Sequence, residues 1–336
     1  MRFIGVDLHT TQITVCYLKT VHEYRFEIYQ LSEIKKFLDE LRETDEIAVE
    51  ATGNTRWFCE QVKKKIGRVV IVNPREFEVT KKSVKKTDKR DALNLAKFLA
   101  VDMLPEVRSK SEEAETVQRL NETRTKLVRL KTCLMNKIHA LAVSRGRKLK
   151  RESLSSKKGL QKIFAQEWTE IEKLELEIIV EQIEALNKSI KRLDAALEEA
   201  SRKLKGFDNL ITMTGIGARS AGVLLAVIGD VNDFSDEKKL VSYFGIVPKV
   251  KNSNEKVQTG KITKRGSKTG RTTLVQCTLV AIRYNEYLRT YYERMKARRG
   301  HGKAKIATAR KYLGIIYNTL KNEWVFEDFN NFVLAE

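Results

Sequence analysis

Cysteine and histidine are scarce, with four of each in 336 residues. Cys16, Cys59, Cys133 and Cys277 include no Cys-x-x-Cys pair, and His9, His22, His139 and His301 are equally dispersed. Neither a disulfide framework nor a structural zinc site is expected from such a pattern. Long apolar runs are missing too. The longest, residues 221–229, is far shorter than a bilayer requires, and residues 1–10 carry Asp7 inside an apolar run without a signal-peptide pattern. The expectation is a cytoplasmic globular protein, whose length and 42% hydrophobic content allow two or three domains with cores of their own.

Acid is what one long segment lacks. Residues 249–311 hold 18 basic residues against Glu255, Glu286 and Glu293, which accounts for +15 of the chain's formal +20. Charge concentrated this way calls for a polyanion partner, and without membrane-anchor features nucleic acid is the class expected.

The amino-terminal part reads as strands over residues 2–7, 12–19 and 22–29, which form an antiparallel meander. A helix over 32–42 follows, with Ile34, Phe37, Leu38 and Leu41 on one face. Then come a strand over 46–50, a helix over 54–65, a strand over 68–72 ended by Asn73-Pro74, and a helix that opens at Asp88 behind Thr87 as N-cap. Strands followed by alternating helix and strand imply a mixed α/β sheet.

The acids of this part fall at telling places. Asp7 ends the first strand and Glu50 ends the fourth, while Asp88 and Asp91 lie three apart on one helix face, within a shell of Lys81, Lys82, Lys85, Lys86, Lys89 and Arg90. Strand ends at one sheet edge are where ligands collect. Four carboxylates converging there repel one another unless cations neutralise them, which points to a pair of Mg²⁺ ions roughly 3.5 to 4 Å apart clamping a scissile phosphate. Singly, each acid reads as a capping or surface residue. An actin-like or sugar-kinase ATPase shares such a sheet, but it cradles phosphate on a glycine-containing hairpin. Here that turn is Leu8-His9-Thr10-Thr11.

In the middle, Leu120, Leu127, Leu134 and Leu141 recur every seven residues. A second series, from Leu176 through Ile183, Ile190 and Leu197 to Leu204, alternates spacings of three and four. Residues 144–159 are polar and basic and read as a hairpin tip or a linker. Two long helices, the second over 160–205, form an antiparallel coiled coil in this reading, either closed on itself or serving as an oligomer-forming arm.

Further on, Leu210 to Gly217 and a helix over 218–228 have the pattern of a helix-hairpin-helix. Gly215 and Gly217 permit the tight turn, and exposed amides can hold a DNA phosphate. A plain packing turn between two helices is the alternative. A helix from Leu274 to about Ala297 carries Tyr284, Tyr287, Tyr291 and Tyr292 among Arg283, Arg289 and Arg294. These tyrosines suit base stacking or a core. A tyrosine recombinase needs a His-x-x-Arg companion, which this segment lacks.

Several stretches together resemble the DEDD transposases of bacterial insertion sequences. They are Ile4-Gly5-Val6-Asp7, Val49-Glu50-Ala51-Thr52-Gly53, Val72-Asn73-Pro74 and Lys86-Thr87-Asp88-Lys89-Arg90-Asp91-Ala92. Downstream, Gly245-Ile246-Val247-Pro248, Ser253, Gly260-Lys261-Ile262-Thr263-Lys264-Arg265-Gly266 and Arg271 match the family's transposase domain. The chain departs from the family's pattern at Asn254, where glycine is usual, and at Ser267, where Asn or His is usual.

The resemblance implies a ribonuclease H-like, RuvC-like domain over residues 1–107, a coiled-coil hairpin over 108–205, and a mainly α transposase domain with the helix-hairpin-helix over 206–336. It implies Asp7, Glu50, Asp88 and Asp91 as a catalytic, Mg²⁺-binding tetrad and Ser253 as nucleophile. Lys249, Lys251, Lys261, Lys264, Arg265 and Arg271, with Gly215 and Gly217, are the expected nucleic-acid contacts. Family membership further implies donor and target DNA as substrates, a structured guide RNA from the element, and a homodimer or homotetramer. A metal-dependent Holliday-junction-type endonuclease would need the four acids but not Ser253. A non-catalytic nucleic-acid-binding protein would need the basic segment alone.

Overall fold

Apolar residues on alternating positions of β1 (Phe3–Leu8) bury Ile4, Val6 and Leu8 on one face and turn Phe3, Gly5 and Asp7 to the other. This alternation organises the first of two compact units, Met1–Ser109 and Lys110–Glu336, seen in the computed structural model. The structure describes residues 1–74, 76–77, 87–108, 110–147, 154, 156–253 and 256–326, without the side chains of 157 and 251–259. The basic shell expected at Lys81, Lys82, Lys85 and Lys86 lies outside the described residues.

In the first unit β2 (Gln12–Thr20) and β3 (Glu23–Gln30) complete an antiparallel meander with β1, while β4 (Glu46–Glu50) and β5 (Arg68–Val72) run parallel to β1. The strand order is β3-β2-β1-β4-β5. One face is covered by α1 (Ile34–Glu40) and α2 (Thr55–Val62), whose Phe37 and Phe58 stack at 5.9 Å over Ile4, Val6, Ile13 and Val49. The other face is covered by α3 (Asp88–Ala100), which buries Ala92, Leu95, Ala96 and Leu99, a stripe at helical spacing. The expected mixed α/β sheet is thus present, with mostly helical structure in the rest of the chain.

Gly5 sets how closely α3 can approach. A Cβ built on it would lie 1.9 Å from the Ala92 carbonyl oxygen and 2.6 Å from the Ala96 nitrogen. Gly5→Ala is therefore expected to push α3 off the sheet and to cost about 3 kcal/mol, as overpacking does. Urea denaturation of the purified protein measures it, and an unchanged midpoint would contradict the close packing.

Among the described residues the second unit is helical apart from one hairpin. Its two longest helices, α4 (Glu112–Ser144) and α6 (Glu170–Arg202), run antiparallel. The opposite order of Arg124 with Asp194, Lys137 with Glu175 at 2.9 Å, and Arg145 with Glu172 at 2.6 Å establishes the direction. Between them lies α5 (Lys157–Phe164), capped by Ser156. The second helix expected over 160–205 is therefore two. Thr169 and Glu172 form a reciprocal capping box that starts α6 afresh.

Along α6 Leu176, Ile179, Ile183 and Leu197 are buried, whereas Leu186, Ile190 and Leu193 are only half-buried. The main core surrounds α8 (Ala218–Ile228), buried throughout residues 221–228, and gathers side chains from α4, α6 and α7 (Phe207–Ile211). It also takes in α9 (Glu237–Tyr243), α10 (Lys268–Tyr284), α11 (Glu286–Arg299) and α12 (His301–Lys321). The single helix expected from Leu274 to about Ala297 is broken at Asn285, a buried N-cap whose Oδ1 accepts from the Leu288 N–H at 2.9 Å. No helix among the described residues is long and apolar enough to cross a membrane.

Candidate active site

Strand pleat and helix capping bring the acids of the first unit to one place. Val6 is level with Val49 in the parallel pair, so Asp7 and Glu50 are the next residues at the same end of neighbouring strands. Both lie on the α3 face by alternation, since Ala48 packs with Leu95 and Leu99 there. Thr87 caps α3 by accepting from the Arg90 N–H, which leaves Asp88 and Asp91 in the first turn, where the helix dipole favours carboxylates.

The side-chain geometry separates the four. Among the described residues, Asp7, Asp88 and His9 form a group whose ligand atoms all lie within 4.8 Å of one another. Glu50 and Asp91 are outside that group, although Asp91 is close enough to act on Asp7 electrostatically. Burial pushes the Asp7 carboxyl above its ordinary value. His9 opposes the shift, and the charges of Asp88 and Asp91 reinforce it. Carboxylates gathered this closely repel one another unless a cation lies between them, and the oxygen-rich donor set fits a divalent one.

His9 was not singled out in the sequence, where it is one of four scattered histidines. Its position two residues past Asp7, across the end of β1, is the signal that a strand-plus-turn reading offers.

In the second unit Ser253 is the last residue of β6 (Pro248–Ser253), level with Lys256 at the start of β7 (Lys256–Ile262). Around the serine the chain pairs as an antiparallel hairpin. The side chains of Lys251 and Ser253 lie outside the described residues. Lys249, Lys261, Lys264 and Arg265 are exposed.

Lys264 holds a left-handed conformation, φ 56°, where its N–H donates to the Gly245 carbonyl at 3.0 Å. Such strain in a non-glycine residue costs of order 1–3 kcal/mol and persists only where the surroundings impose it. Arg271 is one source of that constraint. Its Nη1 donates to the carbonyls of Phe244, Arg265 and Gly266 at 3.2, 3.3 and 3.0 Å, clasping the loop, and burial holds its guanidinium below its usual value. Lys264, Lys268 and Arg271 line a cavity of about 530 Å³ whose apolar walls include Ile246, Ile262 and Ile306. Ser267 caps α10 by accepting from the Gly270 N–H at 3.1 Å, a role that asparagine at this position could also fill.

Gly215 and Gly217 have different duties. Gly215 has φ 91°, and a Cβ there would lie 2.7 Å from the Cys277 carbonyl oxygen, so it lets the α7–α8 turn rest on α10. Gly217 is the N-cap of α8 with open space around it. Arg219, in the first turn of α8, makes no hydrogen bond or ion pair among the described residues. Burial and the neighbouring Arg124 lower its pKa from the usual value, and Asp194 opposes them.

Of the four tyrosines expected to stack or pack, Tyr292 is in the core and bonded to His301, and Lys311 lies over both Tyr287 and Tyr291. Tyr284 is 73% exposed and is the one open to a base.

Two family models match the chain. A DEDD-type insertion-sequence model described as "Transposase" covers residues 4–144, and a model described as "Transposase IS116/IS110/IS902 family" covers residues 208–293. The chain is 25% identical over 244 residues to a "Probable family 20 transposase" of Pseudomonas aeruginosa, spanning 70% of this chain and 71% of that protein. It is 25% identical over 260 residues to the "Transposase for insertion sequence element IS1111A" of Coxiella burnetii, spanning 75% and 71%. Over 249 residues it is 24% identical to the "Transposase for insertion sequence element IS1328" of Yersinia enterocolitica, spanning 72% of each.

An α/β unit with clustered carboxylates and a basic helical unit, matched in this way, make the chain a transposase, an enzyme that acts on DNA by strand cleavage and transfer. It belongs to the DEDD-type transposases of bacterial insertion sequences, within the IS110 family.

Proposed function

We propose that the chain cleaves and rejoins donor and target DNA through Ser253, with a divalent ion, Mg²⁺ in the sequence reading, held by Asp7, Glu50, Asp88 and Asp91. The approach of Asp7 and Asp88 on the face that also carries Glu50 is the observation that carries this proposal. When bound, the ion would polarise a phosphate and lower the pKa of an attacking hydroxyl.

Ser253 Oγ attacks phosphorus and forms a phosphoserine ester as a DNA hydroxyl leaves with the serine's proton. Attack by a DNA hydroxyl of the partner strand then restores serine and seals the exchange. Covalent capture conserves the phosphodiester for rejoining, which hydrolysis would not.

In this proposal residues 1–107 form a RuvC-like, ribonuclease H-like domain, 108–205 a coiled-coil arm, and 206–336 the transposase domain with its helix-hairpin-helix. The open N-terminus of α8 and half-buried Arg219 support phosphate binding at that turn. The half-buried Leu186, Ile190 and Leu193 leave apolar surface for a second copy, in a homodimer or homotetramer. A structured RNA from the element would supply sequence by base pairing while the protein reads backbone and shape, in the cytoplasm where element DNA and RNA meet. Incubation with element ends and that RNA is expected to yield joined products. Cleavage of junctions with no covalent protein–DNA adduct would favour the endonuclease alternative.

Lys261, Lys264 and Arg265 give a separate prediction. DNA affinity should fall with salt by a log–log slope of about −0.7 to −0.9 per phosphate contacted, and the triple alanine variant should flatten that slope. Fluorescence anisotropy across a salt series measures it, and an unaltered slope would assign these residues another task.

A further inference from the structure

Asp7 and Asp88 share a neighbour that a four-acid site does not use. His9 occupies the turn between β1 and β2, and its Nε2 lies 3.2 Å from Asp7 Oδ2 and 3.4 Å from Asp88 Oδ2. In an octahedral shell with bonds of about 2.1 Å, adjacent ligand atoms are about 3.0 Å apart, close to these spacings.

The imidazole is carried by a braced turn. The His9 N–H donates to the Gln12 carbonyl at 3.0 Å, and Asn54 Nδ2 donates to the His9 carbonyl at 2.8 Å. Asn54 lies in the connection after Glu50, which Thr55 also secures by donating to the Glu50 carbonyl at 2.8 Å. The turn with His9 is thereby tied to the strand end with Glu50. His9 is about half exposed, so an ion can reach it from solvent.

We propose that His9 Nε2 is a direct ligand of the divalent ion held by Asp7 and Asp88, and that it shifts the preference of this site from Mg²⁺ towards Mn²⁺. The inference rests on the reading of Asp7 and Asp88 as metal ligands and adds a donor and a metal preference to it. Mg²⁺ is hard, favours oxygen and keeps its waters, so an imidazole adds little to its binding. Mn²⁺ takes carboxylate oxygen equally well and, as a first-row transition ion, also gains from a nitrogen donor.

The test uses the full-length protein. Isothermal titration compares Mn²⁺ with Mg²⁺, and pulsed electron paramagnetic resonance reads nitrogen coupling to bound Mn²⁺. The wild type is expected to bind Mn²⁺ more tightly than Mg²⁺ and to show coupling from one imidazole. Loss of a partner that only orients a ligand already weakens metal binding by about 10- to 100-fold. His9→Gln is accordingly expected to lose the coupling and to weaken Mn²⁺ by at least about tenfold, with Mg²⁺ near its wild-type affinity. Mn²⁺ bound to the wild type without nitrogen coupling, or coupling that survives His9→Gln, overturns the inference while leaving the carboxylates as ligands. If Asp7→Asn weakens neither ion, the reading of the carboxylates falls, and the inference falls with it.

Discussion

Asp7→Asn and Asp88→Asn are each expected to reduce DNA cleavage by roughly 10³-fold or more while DNA binding stays close to wild type. Loss of a metal's electrostatic stabilisation of the transition state is worth several kcal/mol, and about 1.4 kcal/mol is one decade in rate. Asparagine preserves the volume of aspartate, so the contact of α3 with the sheet at Gly5 is undisturbed. Asp88 is half exposed and Asp7 about one-fifth, so neither holds the core. The dense basic charge lies in residues 249–311, outside the unit being changed. Gel assays of cleavage beside anisotropy binding and a thermal melt separate the effects. Normal strand exchange by either variant would remove the carboxylates from the chemistry.

Ser253→Ala is expected to abolish recombinants and covalent protein–DNA adducts, a loss on the order of 10⁶-fold if it matches removal of a serine nucleophile in a protease. The strand that ends at Ser253 carries basic residues suited to a phosphate, including exposed Lys249. It brings no histidine close in sequence to serve as base. Activation on this account comes from the carboxylate site of the same or a neighbouring subunit, so the alanine variant keeps metal and DNA binding and loses only the chemistry. Ser253→Cys is expected to retain a trace of exchange. Full exchange by Ser253→Ala would assign the attack to another group.

The sheet was legible because its strands alternate. Ile4, Val6 and Leu8 against Gly5 and Asp7 already state which face holds the acid, and Thr87 before Asp88 states where α3 begins. The β6–β7 hairpin was not legible. Its residues are mostly Lys, Asn, Ser, Gln and Thr, a composition without the apolar alternation by which a strand is read, and Val250 is 59% exposed. The breaks at Thr169 and Asn285 were hidden for a different reason. Apolar spacing continues through both, and only the side-chain caps mark the new helix starts.

The candidate site was half legible. Four acids at strand and helix ends could be paired with a function, but their separation into a close Asp7–Asp88 pair and a looser Glu50 and Asp91 depends on side-chain distances. His9 carries no periodic or compositional signal at all. It joins the site through the turn geometry that Asn54 braces.

The measurement that bears most directly on the proposed chemistry is the identity of the residue joined to DNA. A wild-type reaction on element DNA is quenched in denaturant and digested with trypsin and nuclease, and the nucleotide-bearing peptide is sequenced by mass spectrometry. The account predicts the peptide from Asn252 to Lys256, with the modification on Ser253. A DNA-linked peptide from elsewhere in the chain, or complete cleavage with no linked peptide, would contradict it.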